Sequence, residues 1–381
     1  MPLPYGRLSA FYFAYFGLLG AWLPYWGLYL QELGHSAVAI GALSSAVMAT
    51  KVVAPSLWGW LADRTGKRSF IIRLGSFLAL LIFLGVFYRS DFWWLMAIVV
   101  GYSFFWNAVL AQFEVVTLSH LEGQYHRYSL IRVWGSVGFI VTVAGVGAFL
   151  DYFSIGLLPW IYVLLLGGIW LSSLTVSEKP GSDQRDQRES SLWTIVSSPT
   201  VIAFLLICAL LQVSHGPYYT FFSIHLEALG YSKTVTGMLW SLGVLAEVVL
   251  FLVMHRVMAG FSLRNIMLVS LTLSVLRWGL IGYFADNAVI LFFAQLMHAA
   301  TFGSSHAVAV ELVRRVFKGY QGQGMALYSG VSFGGGGALG AILSGLLWDF
   351  GAEVTFLMAV AASLVALVLA WVFLQERRLA V

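Results

Sequence analysis

Gly59-Trp60-Leu61-Ala62-Asp63-Arg64-Thr65-Gly66-Lys67-Arg68 joins two long apolar runs, 40–62 and 72–89. Gly59 would permit close helix approach, Asp63 sits where a carboxylate can hold a neighbouring helix end, and the basic residues would keep the loop on the cytoplasmic side of a membrane. An ordinary basic loop between two spans would look similar, so the surroundings have to decide.

Outward from this loop the pattern repeats along the whole chain. Crossing the hydrocarbon layer takes about 20 apolar residues per helix, and twelve runs qualify: 8–30, 40–62, 72–89, 93–118, 132–150, 157–175, 200–226, 235–257, 265–284, 288–312, 324–347 and 354–374. Of 381 residues, 60% are hydrophobic and 10% charged, with 15 Trp and 28 Phe, more than a water-soluble domain of this size could hide. The period-two alternation of a membrane barrel is absent. The first run follows Arg7 as a signal peptide would, but it is too long and lacks a clear cleavage site, so it reads as a retained span. Cys208 stands alone, which excludes an intramolecular disulfide, and nothing in the sequence suggests a cysteine-based metal site.

The net charge of +4 reads as a topology signal and not as a nucleic-acid footprint. With the N-terminus in the cytoplasm, only Arg89 and Lys233 fall outside and Lys51 and Arg277 within the membrane; every other Lys and Arg is on or near the cytoplasmic side. Both termini are then cytoplasmic and the expected location is the cell inner membrane. The longest polar stretch, around Ser177 to Pro199, splits the spans six by six, giving bundles at 1–176 and 200–381 joined by a cytoplasmic linker at 177–199. Sliding the second half by 196 residues aligns Leu33 and Gly34 with Leu229 and Gly230, Ser36 with Ser232, Gly41 with Gly237, and Lys51 with Glu247. Parallel six-span repeats of this kind build many secondary transporters.

In this context the opening stretch resembles the signature loop of the major facilitator superfamily, carried by Gly59, Asp63, Arg64, Gly66 and Arg68. Within the superfamily the chain is most similar to the phenylpropionic acid transporter family, which groups with the lactose permease and nucleoside proton symporters. The carrying residues are Leu23-Pro24-Tyr25-Trp26, Arg132-Val133-Trp134-Gly135-Ser136-Val137-Gly138-Phe139, Trp240 to Glu247, Arg277-Trp278-Gly279, and His298 with Thr301, Phe302 and His306. The resemblance implies an all-α integral membrane protein of twelve transmembrane helices in two pseudo-symmetric six-helix bundles, working by alternating access.

Charges at bilayer depth are costly and mark a pathway or a buried partner. Glu114 precedes Arg132 by 18 residues, a spacing that resembles the sugar-binding carboxylate and arginine of lactose permeases; an interhelical pair without substrate contact is the other reading. Asn107 shares the face of Glu114. The resemblance places Glu247 close to Arg132 as a substrate or coupling group, against a packing role. Arg277, with Ser270 and Ser274 on its face, resembles the proton-coupling arginine, and His298 falls where the coupling histidine lies. The carboxylate expected one turn later is replaced by Thr301, so Glu311, His306 or Glu247 has to take the proton, or the coupling differs. Lys51 matches no lactose permease functional residue; it is a snorkelling lysine or, as its midspan position favours, a group with a buried partner or an anionic ligand. Gln212, His215 and Tyr219 stripe one span, and Tyr15, Trp22, Trp26 and Tyr29 another, as cavity lining or as packing.

The expected substrate-binding set is Lys51, Glu114, Arg132, Trp26, His215, Tyr219 and Glu247, and the proton-coupling set Glu247, Arg277, His298 and Glu114. No enzyme chemistry, metal or cofactor is expected beyond the proton as coupling ion. The partners are a small aromatic or hydrophobic monocarboxylate and the lipid bilayer, with no nucleic acid, and the chain is expected to be a monomer. Sugar or nucleoside symport, or export of small organic compounds, is the alternative.

Overall fold

A computed structural model describes residues 3–121, 127–178 and 195–375. The expected linker at 177–199 therefore falls mostly outside the described residues, as do Lys179, Arg185, Arg188, Arg377 and Arg378 of the charge map.

Twelve helical rods occupy the described residues. They are α1 (Tyr5–Glu32), α2 (Ala37–Thr65), α3 (Arg68–Phe87), α4 (Phe92–Leu121), α5 (Tyr128–Tyr152), α6 (Ile155–Leu174), α7 (Pro199–Ala228), α8 (Lys233–Gly260), α9 (Leu263–Phe284), α10 (Ala288–Val316), α11 (Gln321–Phe350) and α12 (Ala352–Phe373). Eleven are apolar and long enough to cross a membrane; α1, at 28 residues, has the length, about 42 Å at 1.5 Å per residue, while its Tyr, Trp and Gly content lowers its hydropathy. All-helical spans follow from the solvent, since hydrocarbon offers backbone amides no partner and each rod must satisfy its own.

The chain divides into two compact units, Met1–Gln184 with Tyr231–Ser241, and Arg185–Gly230 with Leu242–Val381. In the first, α1 packs on α5 and α6, α3 on α4 and α6, and α2 on α4. In the second, α7 packs on α11 and α12, and α9 on α10 and α12, the same scheme shifted by six helices.

The repeat is visible in individual residues. Gly34 and Gly230 close α1 and α7 with φ of 82° and 84°, a conformation that favours glycine. Two residues on, Ser36 Oγ accepts the Ala39 amide at 3.3 Å and Ser232 Oγ the Val235 amide at 3.2 Å, so the same serine cap starts α2 and α8. Gly20 of α1, where a Cβ would stand 2.6 Å from the Phe139 carbonyl oxygen, has its counterpart in Gly216 of α7, whose neighbour is the backbone of Gly340 in α11. Close backbone approach through small residues is how apolar helices associate without a hydrophobic driving force.

Departures from α-helix are localised. In α7 the chain passes through His215, Gly216 and Pro217, which divides it into Pro199–Ser214 and Gly216–Ala228. Wide π-turns occupy Ala299–Ser304 of α10 and Gly330–Gly336 of α11, a geometry that recurs at functional sites.

Candidate functional site

In the first unit the charged site lies where α1, α4 and α5 meet. Glu114 Oε1 accepts a hydrogen bond from Tyr128 Oη at 3.3 Å and stands 3.9 Å from Arg132 Nε, close enough for attraction and too far for a hydrogen bond. The guanidinium carbon instead lies over the Phe16 ring, 3.9 Å from its centroid, with Tyr12 at 5.5 Å. Gly135 makes that pose possible: a Cβ there would fall 2.7 Å from Arg132 Nη1 and 2.8 Å from Phe16 Cδ2. About a third of each charged side chain is exposed, so both can exchange partners. Asn107 belongs to the scaffold, its amide donating to Val47 O at 3.0 Å and Thr50 Oγ1 at 2.9 Å across to α2. Lys51, the residue after Thr50, is half-buried and makes no ion pair or hydrogen bond among the described residues.

Trp26 is buried in a packed aromatic cluster, stacked on Trp22 at 4.2 Å and Tyr29 at 5.4 Å and facing Tyr162 of α6 at 6.0 Å. Within its unit it is core, so the α1 stripe follows the packing reading at this residue.

The signature loop closes on itself and on α4. Arg68 pairs with Asp63 at 2.5 Å, donates to Gln112 Oε1 at 2.9 Å and reaches Glu178 at 3.6 Å, while Glu178 also accepts the Arg68 amide at 3.1 Å. Gly66 ends α2 with φ of 62°, and Arg64 lies over Trp60. The close helix approach expected at Gly59 is not found inside this unit, because a Cβ there would make an ordinary 3.4 Å contact with Gln112.

In the second unit the polar residues of α7, α8, α9 and α10 converge on Arg277, which is completely buried. Its Nε donates to Ala294 O at 2.9 Å and its Nη1 to Thr301 Oγ1 at 3.1 Å and to His298 Nδ1 at 3.0 Å, while Nη2 approaches Gln295 Oε1 at 3.5 Å. Tyr218 and Trp278 present ring faces 4.5 Å from the guanidinium carbon. Tyr218 Oη donates to Gln295 Oε1 at 2.9 Å, and Trp278 Nε1 to Ser214 Oγ at 3.1 Å.

The direction of these bonds fixes the histidine protons. Arginine can only donate, so His298 Nδ1 accepts, and the proton of the neutral ring sits on Nε2. That nitrogen is 3.7 Å from Glu247 Oε2. Arg277, His298 and Glu247 thus form a file running cation, imidazole, carboxylate, and Thr301 occupies a corner of the arginine's hydrogen-bond shell. Gly303 and Gly243 keep the file close: a Cβ at Gly303 would meet Glu247 Cγ at 3.0 Å, and one at Gly243 the His298 ring at 3.4 Å. His215 differs. Its Nδ1 lies 2.8 Å from Leu211 O, which accepts, so Nε2 is an acceptor, buried and without a hydrogen-bond partner among the described residues, in a ring packed against Tyr219, Trp278, His298 and Phe302.

Glu311 is taken up by Arg314 and Arg315, each at 2.7 Å. His306 Nδ1 contacts Tyr328 Oη at 2.9 Å. Ser270 and Ser274 do not bond to Arg277; Ser270 crosses to Ser304 at 2.6 Å, and Ser274 returns its hydroxyl to Ser270 O. Tyr218, Gln295 and Tyr128 are site residues that the sequence reading passed over. Gln295 stands one turn before His298, a spacing that could have flagged it.

Two like units of long apolar helices, each holding a cluster of charged side chains, define a transporter of the major facilitator type. Residues 5–358 match the MFS_1 like family, and the chain belongs to it. It is 30% identical over 370 residues, 93% of this chain and 94% of the relative, to the "Probable 3-phenylpropionic acid transporter" of Escherichia coli. It is 26% identical to the "Maltose permease" of Geobacillus stearothermophilus over 91% of this chain and 89% of that one. In fold it resembles a crystal structure of a mutant of the nucleoside transporter NupG, with TM-score 0.88 and 18% identity over 97% of this chain and 100% of that one. The chain is a multi-pass membrane transporter and not an enzyme.

Proposed function

We propose that this transporter carries a small aromatic or hydrophobic monocarboxylate together with a proton by alternating access. The observation that carries the reading is the Arg277–His298–Glu247 file, in which a carboxylate next to an imidazole gives a proton two adjoining stations beside a fixed cation. Protonation of Glu247 would leave the file with the arginine charge alone, so its occupancy and that of an anionic substrate are linked.

Arg132 and Lys51 supply the cations for the substrate carboxylate. Arg132 is suited because its present partner, Glu114, is held at 3.9 Å and a bidentate carboxylate would bond better. Lys51 is suited because among the described residues it has no ion pair to give up. Tyr219 offers a ring face, and His215 Nε2 an acceptor with no hydrogen-bond partner among the described residues. Trp26 supports the site from the core of its unit. The phenylpropionic acid relative, similar over almost the full length, favours an aromatic acid. Cell inner membrane, cytoplasmic termini and a monomer complete the reading.

The test is uptake of labelled 3-phenylpropionate into proteoliposomes, with and without an imposed pH gradient. Stimulation by an acidic outside and loss of stimulation in Glu247→Gln are expected; uptake indifferent to the gradient would overturn the coupling. A second reading, nucleoside symport, is favoured by the fold likeness to NupG. Gradient-driven uptake of labelled uridine, suppressed by unlabelled uridine and not by phenylpropionate, would decide for it.

A further inference from the structure

Outside the transport site, the second unit carries an apolar groove on its flank between α9 and α12. It is lined by Leu268 and Thr272 of α9 and by Leu367, Val368 and Trp371 of α12, and encloses about 360 Å³. Val368 and Trp371 are largely exposed, as are Val269, Val365 and Val372 beside them, which marks this flank as one that meets lipid.

One end of the groove is cationic. Arg264, Leu268 and Thr272 are spaced by four residues each and share a face of α9, a line of about 12 Å. Arg264 lies in the first turn of that helix, its guanidinium carbon 4.8 Å from the centroid of the Trp371 ring that walls the groove, and Nη2 donates to Trp371 O at 3.1 Å. Among the described residues it has no carboxylate partner, and its Nε is buried without a hydrogen-bond acceptor. An arginine near the end of two helices, braced on a tryptophan beside an apolar furrow, has the two halves of an amphiphile's complement: an anionic headgroup for the remaining guanidinium edge, hydrocarbon for the furrow.

We propose that this groove is a specific site for one anionic phospholipid, its phosphate on Arg264 and an acyl chain laid along Leu268 and Thr272. Zwitterionic lipids carry the same chains, so selectivity between headgroups separates this site from the general lipid annulus.

Native mass spectrometry of the purified full chain tests it, with phosphatidylglycerol and phosphatidylcholine of identical chains added in equal amounts. The expected result is one phosphatidylglycerol retained at collision energies that strip phosphatidylcholine, at least five-fold in favour of the anionic lipid. Arg264→Gln should abolish that preference, Thr272→Trp should lower retention by filling the furrow, and Arg7→Gln, a basic residue elsewhere, should leave both unchanged. Equal retention of the two lipids by the unaltered protein overturns the proposal, a reading that needs no variant. A preference that survives Arg264→Gln and Thr272→Trp in folded protein overturns it as well.

Discussion

The two charged clusters are built to opposite specifications. Arg132 is partly exposed, stacked over Phe16 and loosely opposite Glu114 at 3.9 Å, so its charge can be redirected without breaking a strong bond. Arg277 is sealed in, with four hydrogen-bond approaches and two aromatic faces around one guanidinium. A group that trades partners has to be cheap to detach, and a group that sets the protonation of its neighbours has to stay put. Under the proposed function, exchange would fall to the first cluster and proton handling to the second.

Breaking the sealed cluster should have the largest effect. Arg277→Gln removes a buried cation and strands Gln295, Thr301 and His298, a loss on the order of 3 kcal/mol of stability or more. Thermal unfolding in detergent should fall clearly, and gradient-driven uptake should vanish even in protein that survives purification. Glu247→Gln sharpens the contrast further: the folded protein should retain substrate counterflow while stimulation by a pH gradient is lost. Equal loss of counterflow would return Glu247 to the substrate site.

The open cluster should yield more gently. Arg132→Lys keeps the charge and forfeits the planar stack and the bidentate fork, so an apparent KM raised about tenfold, roughly 1.4 kcal/mol, is expected with little change in unfolding temperature. Gly135→Val should mimic it, since the added side chain would occupy the place of Arg132 Nη1 and Phe16. Lys51→Met is expected to weaken uptake of the acid more than expression, and a collapse of expression would make Lys51 structural. Smallest is Asp63→Asn, where the carboxylate is mostly exposed and its bond to Arg68 is worth at most about 1 kcal/mol. A transport defect larger than the stability loss would give the signature loop a role in switching.

Much of this was legible in sequence because membranes simplify the problem. Twelve apolar runs became twelve rods, since a span's length and backbone bonding are set by the bilayer, and the 196-residue register reappeared in the Gly34 and Gly230 turns. Pairings along one helix were less secure. Ser270 and Ser274 share a face with Arg277, yet their hydroxyls found Ser304 and their own backbone. Tyr218, adjacent to the Tyr219 that the stripe picked out, presents its ring to Arg277, and it follows the break of α7 at His215, across which a single helical period cannot be carried. The order of the proton file depends on which imidazole nitrogen meets the arginine, and no periodicity encodes that. At Trp26 a cavity stripe and a core stripe have the same spacing, and only the neighbours, Trp22, Tyr29 and Tyr162, distinguish them.

The matched joints at Gly34 to Ser36 and Gly230 to Ser232 also carry an ancestral record. A doubled gene has kept its hinges while its occupants diverged, for one helix position beyond those joints holds Lys51 in one copy and Glu247 in the other. Matched positions of the two copies thus bear opposite signs, and under the proposed function one half would meet the anion and its twin the proton.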